Sequence, residues 1–354
     1  MSSVSLGFAE YKSVAQTLRS GQLAQGNKVM QFEKMFADFI HHNDKYCVAV
    51  NSGTSGLYVA LLALGVGVGD EVILPSFSFA ATANAVKLVG AVPIFCDVDK
   101  DTFTISASEI REKVTKKTKC IIPVHIFGLP ADLPKIYQIA LENNLYVIED
   151  AAQAHGAEID GRKIGWAADA VVYSFYPTKN VTSAEGGMIA FKAAEPADYA
   201  RLFRNQGMRE RYVHEIVGMN LRMSDVHASI GVAQMRKLTK FTKLRKKNAD
   251  YYDAHLSEFY ERQRIPTGYT HVYHQYTIRI KKNRDSTKAY LASKGIETAI
   301  YYPTPIHALA PYKTGQLLFE TKSLCNEILA IPVHNKLKSF EIKRIVKTLN
   351  DLVP

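Results

Sequence analysis

Cysteine is scarce: Cys47, Cys96, Cys120 and Cys325 stand isolated in a chain of 354 residues. None has the pairing of a metal site, and three follow or sit in apolar strand-like runs, so buried thiols in a reducing compartment are expected. Long apolar runs are also missing. None reaches about 18 residues, and the N-terminus lacks a basic-then-apolar signal pattern, so a cytoplasmic protein with no membrane partner is expected. There is no internal repeat and no low-complexity tract. Lysine and arginine outnumber the acids by 44 − 34 = 10. Yet no basic run is interleaved with aromatics in a recognisable module, so nucleic acid is not an expected partner and the charge alone supports none. The densest cluster, Lys237 to Lys247, reads as the wet face of a helix. A basic surface suits an anionic, phosphate-bearing substrate.

What is present is an ordinary globular composition, 47% hydrophobic and 22% charged, with enough length for a sizeable core and two lobes. Phe8, Tyr11, Val14, Ala15 and Leu18 fall at helical spacing, and a second helix follows Gly26 with Val29, Phe32 and Phe36 on one face. The polar loop 21–27 between them is either a binding loop or a plain connector. Strand and helix then alternate. Strands are expected at 48–50, 72–74, 93–96, 120–124 and 146–148, and helices at 57–64, 80–88, 110–114 and 133–141. This alternation implies a mostly parallel sheet covered on both faces, with ligands beyond the carboxyl ends of the strands. After Ile189 the pattern changes. A helix over 225–238, a longer one through Phe259, a strand over 273–280 and helices over 286–294 and 339–352 read as a smaller α+β lobe. The boundary is placed so that residues 1–235 form the large domain and 236–354 the small one.

The chemistry gathers around one loop. Val171 to Ser174 is a short apolar run, Pro177 and Asn180 break it, and Gly186-Gly187 allow a return into a second strand. Lys179 sits at the apex. A lone loop lysine is ordinarily an exposed one, but the preceding strand, Val147-Ile148-Glu149-Asp150, ends in an acid pair. A lysine for an aldehyde and a carboxylate for a pyridinium nitrogen are the two requirements of pyridoxal 5′-phosphate (PLP). Asn51-Ser52-Gly53-Thr54-Ser55-Gly56 lies between a strand and a helix, where bare backbone and a helix N-terminus suit a phosphate. It is neither a P-loop nor a dinucleotide fingerprint. Ser174 can donate to the same phosphate, and Gln153 can reach the ring's phenolic oxygen. Phe79 is open to two readings, stacking on the ring or a core aromatic. His125, His155 and His307 read as satisfied structural histidines.

The ordered set of motifs resembles the DegT/StrS-type sugar aminotransferases, a branch of the fold-type-I PLP enzymes, nearest to perosamine-synthase-like members. It runs through Asn51-Ser52-Gly53-Thr54, Pro75-Ser76-Phe77-Ser78-Phe79, Glu149-Asp150-Ala151-Ala152-Gln153-Ala154-His155-Gly156 and Ser174-Phe175-Tyr176-Pro177-Thr178-Lys179-Asn180. It continues through Glu185-Gly186-Gly187, Arg204-Asn205-Gln206-Gly207, Asn220-Leu221-Arg222-Met223 and Tyr302-Pro303-Thr304-Pro305-Ile306-His307. The resemblance implies an aspartate-aminotransferase-like α/β fold, with a mostly parallel seven-stranded sheet between helices and a smaller C-terminal α+β domain. It makes Lys179 the Schiff-base lysine and Asp150 the pyridinium partner. Gln153 would sit by the ring oxygen, Gly53, Thr54 and Ser174 on the phosphate, and Phe79 on the ring. It also implies a homodimer with shared sites, in which Asn220 reaches the partner's phosphate; without the resemblance, Asn220 reads as a loop residue capping the next helix. Phe77, Glu185, Arg222 and His307 become substrate-binding positions. Glutamate or glutamine is the implied donor and a nucleotide-linked keto sugar the acceptor. The segment 182–187 points to amination at C4 of a 4-keto-6-deoxyhexose, with a 3-keto sugar or an inosose as alternatives. A PLP-binding regulator without turnover is the remaining alternative, and the intact Lys179, Asp150, Gln153 and Ser174 argue against it.

Overall fold

The computed structural model describes residues 4–353. Its centre is a sheet of seven strands, β1 (Cys47–Val50), β2 (Glu71–Pro75), β3 (Val92–Cys96), β4 (Thr118–Ile121), β5 (Tyr146–Asp150), β6 (Ala170–Ser174) and β7 (Gly187–Phe191), ordered β1-β7-β6-β5-β4-β2-β3. The pairs β2–β3, β2–β4, β4–β5 and β5–β6 are parallel. Only β7 runs against its neighbours β1 and β6, so the sheet is mostly parallel. Around it lie α1 (Phe8–Ser20), α2 (Asn27–Ile40), α3 (Gly53–Ala63), α4 (Ala81–Leu88), α5 (Ala107–Lys113), α6 (Leu133–Asn143), α7 (Ala194–Phe203), α8 (Asp225–Met235) and α9 (Leu238–His255).

Side chains of a strand alternate between faces, and the core shows it. Val171, Tyr173 and Met188 pack with Phe32 and Phe36 of α2 and Ile136 of α6. Val172 and Ile189 turn the other way, against Leu57 and Leu61 of α3 and Val86 of α4. Both faces are covered, so these strands read as unbroken apolar runs. Burying one such aliphatic or aromatic side chain contributes about 1.5–3 kcal/mol. One buried ion pair ties α2 to the sheet. Glu33 Oε1 accepts from the Ala49 amide at 2.8 Å and from Arg204 Nη1 at 2.7 Å.

The C-terminal part has its own core. Strands β8 (Glu261–Arg262), β9 (Tyr276–Arg279) and β10 (Ile328–Ile331) form an antiparallel sheet in that order. Helices α10 (Arg284–Ser293), α11 (Phe319–Glu327) and α12 (Ser339–Asn350) accompany it. Ile342, Ile345, Val346 and Leu349 of α12 make an i, i+3, i+4, i+7 stripe that buries against Tyr252, Ile278 and Leu329.

Several expected elements differ. Helix α3 starts at Gly53 rather than Leu57, because Ser52 caps it by accepting from the Ser55 amide. The helix expected over 225–238 ends at Met235. The turn there carries Lys237 onto the buried Glu10 carboxylate, at 2.6 and 2.7 Å. The strand expected from Tyr273 begins at Tyr276, since Tyr273 takes the left-handed φ of 47°. The strand expected through Val124 stops at Ile121, just before Pro123, which has no amide to donate. Helices α7 and α11 and strand β10 were not expected at all. In the basic cluster, Lys240, Lys243, Lys246 and Lys247 are exposed but Arg245 is buried. The loop 21–27 is held from a distance, because Asp225 accepts from the amides of Gly26, Lys28 and Val29 at 2.8, 3.1 and 3.0 Å. All four thiols are free and buried. Among the described residues no helix is long and apolar enough to cross a membrane, and no cluster of potential metal ligands is present.

Candidate active site

The strands β1, β5 and β6 end on one edge of the sheet. Val50 and Ser174 both pair with Gly187, the first residue of β7. A Cβ on Gly187 would lie 2.4 Å from the Ser52 carbonyl oxygen, so only glycine lets the chain entering α3 cross this edge. Gly53 meets Ser174 in the same way, 2.9 Å from a would-be Cβ to the serine Cβ. The N-terminus of α3, with amides that have no partner within the helix, therefore lies against the end of β6.

A cavity of about 570 Å³ opens there. Gly53, Thr54, Phe79, Asp150, Gln153, Ser174, Lys179 and Glu185 line it, so eight of the expected site residues come together. Asp150 is held on both oxygens: Thr82 Oγ1 donates to Oδ2 at 2.8 Å and the Ala152 amide to Oδ1 at 3.1 Å. Gln153 Oε1 accepts the Phe127 amide at 2.9 Å, which fixes the side-chain amide, and Nε2 donates to the Tyr302 hydroxyl at 3.3 Å. Phe79 is 59% exposed at the cavity wall, with its ring centroid 6.0 Å from that of Tyr302.

Lys179 is half-buried on the cavity wall, and its ammonium has no ion pair or hydrogen bond among the described residues. Burial lowers its pKa to about 8, against a partial opposing pull from Asp150. An amine near neutrality in a desolvated pocket is the state that attacks an aldehyde. The donor set fits PLP: a free amine and an oriented carboxylate line one cavity, and the N-terminus of α3 beside Ser174 suits a phosphate.

Four expected residues do not line the cavity. Phe77 is buried behind it, with ring centroids 6.0 Å from Phe127 and 6.4 Å from Tyr302. His307 is buried with Nδ1 2.6 Å from Ser76 Oγ. Arg222 Nη1 donates to Asn205 Oδ1 at 2.9 Å, and Asn220 bridges to Asn205 through the backbone. His125 is the satisfied histidine expected: Nδ1 accepts the Ala131 amide, so Nε2 donates to Glu149, each at 3.0 Å. His155 is not. It lies among Phe36, Tyr173 and Phe175, close to the Ser174 backbone but without a well-formed hydrogen bond at either nitrogen. Burial drives its pKa down to about 3.

Sequence reasoning missed Thr82, Tyr176, His274, Tyr301 and Tyr302 as lining residues. Tyr176 and Tyr302 sit inside motifs already singled out and Thr82 in the helix expected over 80–88; His274 was hidden in a stretch read as strand.

Fold and site together fit an enzyme of the pyridoxal phosphate-dependent class. The family model described as "DegT/DnrJ/EryC1/StrS aminotransferase family" matches residues 5–350, and the chain belongs to that family. It is 39% identical over 306 residues to a UDP-N-acetyl-3-dehydro-alpha-D-glucosamine 3-aminotransferase from Acidithiobacillus ferrooxidans, covering 85% of this chain and 83% of the relative. It is 36% identical to GDP-perosamine synthase of Caulobacter vibrioides, covering 93% and 91%. The structure superposes on Spr1654 of Streptococcus pneumoniae, described as a sugar aminotransferase, with a TM-score of 0.92 for its PLP form at 26% identity, covering 99% and 97%.

The lysine carries a testable pH signature. Its unfolded pKa is the ordinary 10.5, above the folded value of about 8. Below pH 8 both states hold the proton and the buried ammonium costs stability in full. Between 8 and 10.5 the unfolded chain binds more protons, so stability rises with pH through that window. Lys179→Met is therefore expected to stabilise the cofactor-free protein at pH 7 by roughly 3 kcal/mol at most. The gap should close by pH 10.5 in paired urea titrations. A gap that is absent at pH 7, or that does not shrink, would contradict the lowered pKa.

Proposed function

We propose that this chain is a PLP-dependent aminotransferase that moves an amino group from glutamate or glutamine to a nucleotide-linked keto sugar. The observation that carries the reading is an unpaired Lys179 amine in one cavity with an oriented Asp150 carboxylate. When bound, the cofactor supplies an aldehyde and an electron-accepting ring. Lys179 would provide the amine for attachment and then hold and release a proton at Nζ. Asp150, steadied by Thr82, would keep the ring nitrogen protonated. Gln153 would present Nε2 to the ring oxygen, and Gly53, Thr54 and Ser174 would hold the phosphate. Phe79 would cover the ring, and Glu185 is free to accept from a sugar hydroxyl. The four buried thiols fit work in the cytoplasm.

The acceptor we favour is a 4-keto-6-deoxyhexose, supported by the perosamine synthase relative and the segment 182–187. A 3-keto sugar is the second reading, supported by the 3-aminotransferase relative at 39% identity. Single-turnover assays of the enzyme in its amino-loaded form, against both kinds of nucleotide sugar, separate them. Consumption of the 4-keto sugar is expected; amination only of a keto acid, an inosose or a 3-keto sugar would refute the C4 assignment.

The working unit is proposed to be a homodimer, with Asn220 serving the partner's cofactor phosphate and Arg222 and His307 near the substrate. Two-fold symmetry makes such a contact reciprocal. Mixing inactive Lys179→Ala chains with an inactive Asn220→Ala variant should then restore activity, because one site of each mixed dimer carries neither lesion. No recovery after confirmed subunit exchange would place both residues in the same site. The division into two domains near residue 236 is also kept as a proposal; it falls in the turn between α8 and α9.

A further inference from the structure

A glutamate-type donor brings carboxylates into a cavity whose charged lining side chains are Asp150, Glu185 and Lys179, with no arginine among the described residues. Lys179 is committed to the amino group. The donor's α-carboxylate sits one carbon away from that nitrogen, so whatever holds it must be close to Lys179 and must donate a hydrogen bond. His274 meets these conditions. It lines the same cavity, is 6% exposed, and has a buried Nδ1 without a hydrogen-bond partner. That leaves Nε2 as the ring nitrogen available to a ligand. The charge of Lys179 is near enough to reinforce what burial does, holding the imidazole well below its ordinary pKa. The neutral ring has one N–H, and the tautomer that carries it on Nε2 is the one that can donate to a ligand in the cavity.

The backbone at this position is clamped from two sides. Arg245 Nη1 donates to the carbonyls of Tyr273 and His274, at 3.1 and 3.3 Å. Opposite, Gly128 has φ 104°, and a Cβ there would lie 3.1 Å from the His274 amide nitrogen. The bend at Tyr273, φ 47°, delivers the ring to the cavity instead of continuing β9. His125 spends both nitrogens on protein partners; His155, like His274, has an unpartnered buried nitrogen, but of the two only His274 lines the cavity.

The geometry points to His274 as the residue that binds the α-carboxylate of the amino donor, through Nε2. This rests on the transaminase reading above. The test uses the cofactor-loaded enzyme and two variants, His274→Phe, which removes the donor, and His274→Gln, which places an amide N–H near the Nε2 position. Isothermal titration with glutarate, an unreactive dicarboxylate, reads binding directly, and stopped-flow kinetics read each half-reaction. A hydrogen bond to a charged group corresponds to roughly a tenfold to hundredfold loss in affinity. The Phe variant should lose that much for glutarate and show a matching rise in KM for the amino donor, with a much smaller change in the half-reaction that consumes the keto sugar. The Gln variant should recover most of the loss. Unchanged glutarate binding in the Phe variant, or equal damage in both variants and both half-reactions, would overturn the assignment. If the unaltered enzyme transfers no amino group from any amino acid, it is the transaminase reading that fails, not this one alone.

Discussion

Lys179→Ala is expected to abolish cofactor attachment and transamination while leaving the fold intact. The lysine is the sole amine of the cavity lining, and no group beside it can replace a covalent attachment. Its side chain makes no ion pair among the described residues, and burial of its ammonium outweighs the pull of Asp150, so the substitution should not cost the fold its stability. Loaded with PLP, the variant should lack the visible absorbance of lysine-bound cofactor, and borohydride should trap no cofactor on the chain. Retained absorbance with trapping at another lysine would show that the attachment point has been misassigned.

Asp150→Asn should bind cofactor yet turn over slower by on the order of 10²–10³-fold. The amide keeps the size of the carboxylate and a hydrogen bond to Thr82, but it cannot hold a proton on a pyridine nitrogen by charge. The loss should fall on kcat in both half-reactions, because both depend on the ring as an electron acceptor. Near-normal turnover would remove Asp150 from that role. A fall in cofactor affinity without a fall in kcat would make it a binding residue only.

The large sheet was legible because both its faces are buried. Runs such as Val147-Ile148 and Val171-Val172 had to be strands, and the helices between them could only be crossovers. Asp150 and Ser174 were legible because each ends a strand, and Gln153 and Lys179 because each lies in the loop that follows one, where such sheets place ligands. Thr82 and Phe127 were not, since their contribution is a bond to another side chain across the cavity, and spacing along the chain does not encode it. His274 was hidden by a local pattern. The residues from Tyr273 to Ile280 alternate like a strand, and only the left-handed turn at Tyr273 diverts the second of them, His274, into the site. Arg245 was lost for the converse reason. Its neighbours Lys246 and Lys247 face water, and its own burial depends on carbonyls 28 and 29 residues away.

The antiparallel strand β7 sets an order of assembly on the growing chain. Strand β1 lies at the sheet edge, and its partner is β7: Val50 pairs with Gly187, 187 − 50 = 137 residues later. The start of α2 waits longer still, for Asp225. During synthesis β2 to β6 can pair as each emerges, while β1 and its glycine-rich turn have no seat until β7 arrives. A nascent chain that stops before residue 187 thus holds Lys179 and Asp150 but presents two unpaired strand edges, β1 and β6, the kind of surface that aggregates. The edge where Gly53 meets Ser174 is completed by that one late strand, so the cavity of the first half of the protein forms only after more than half of the chain has been made.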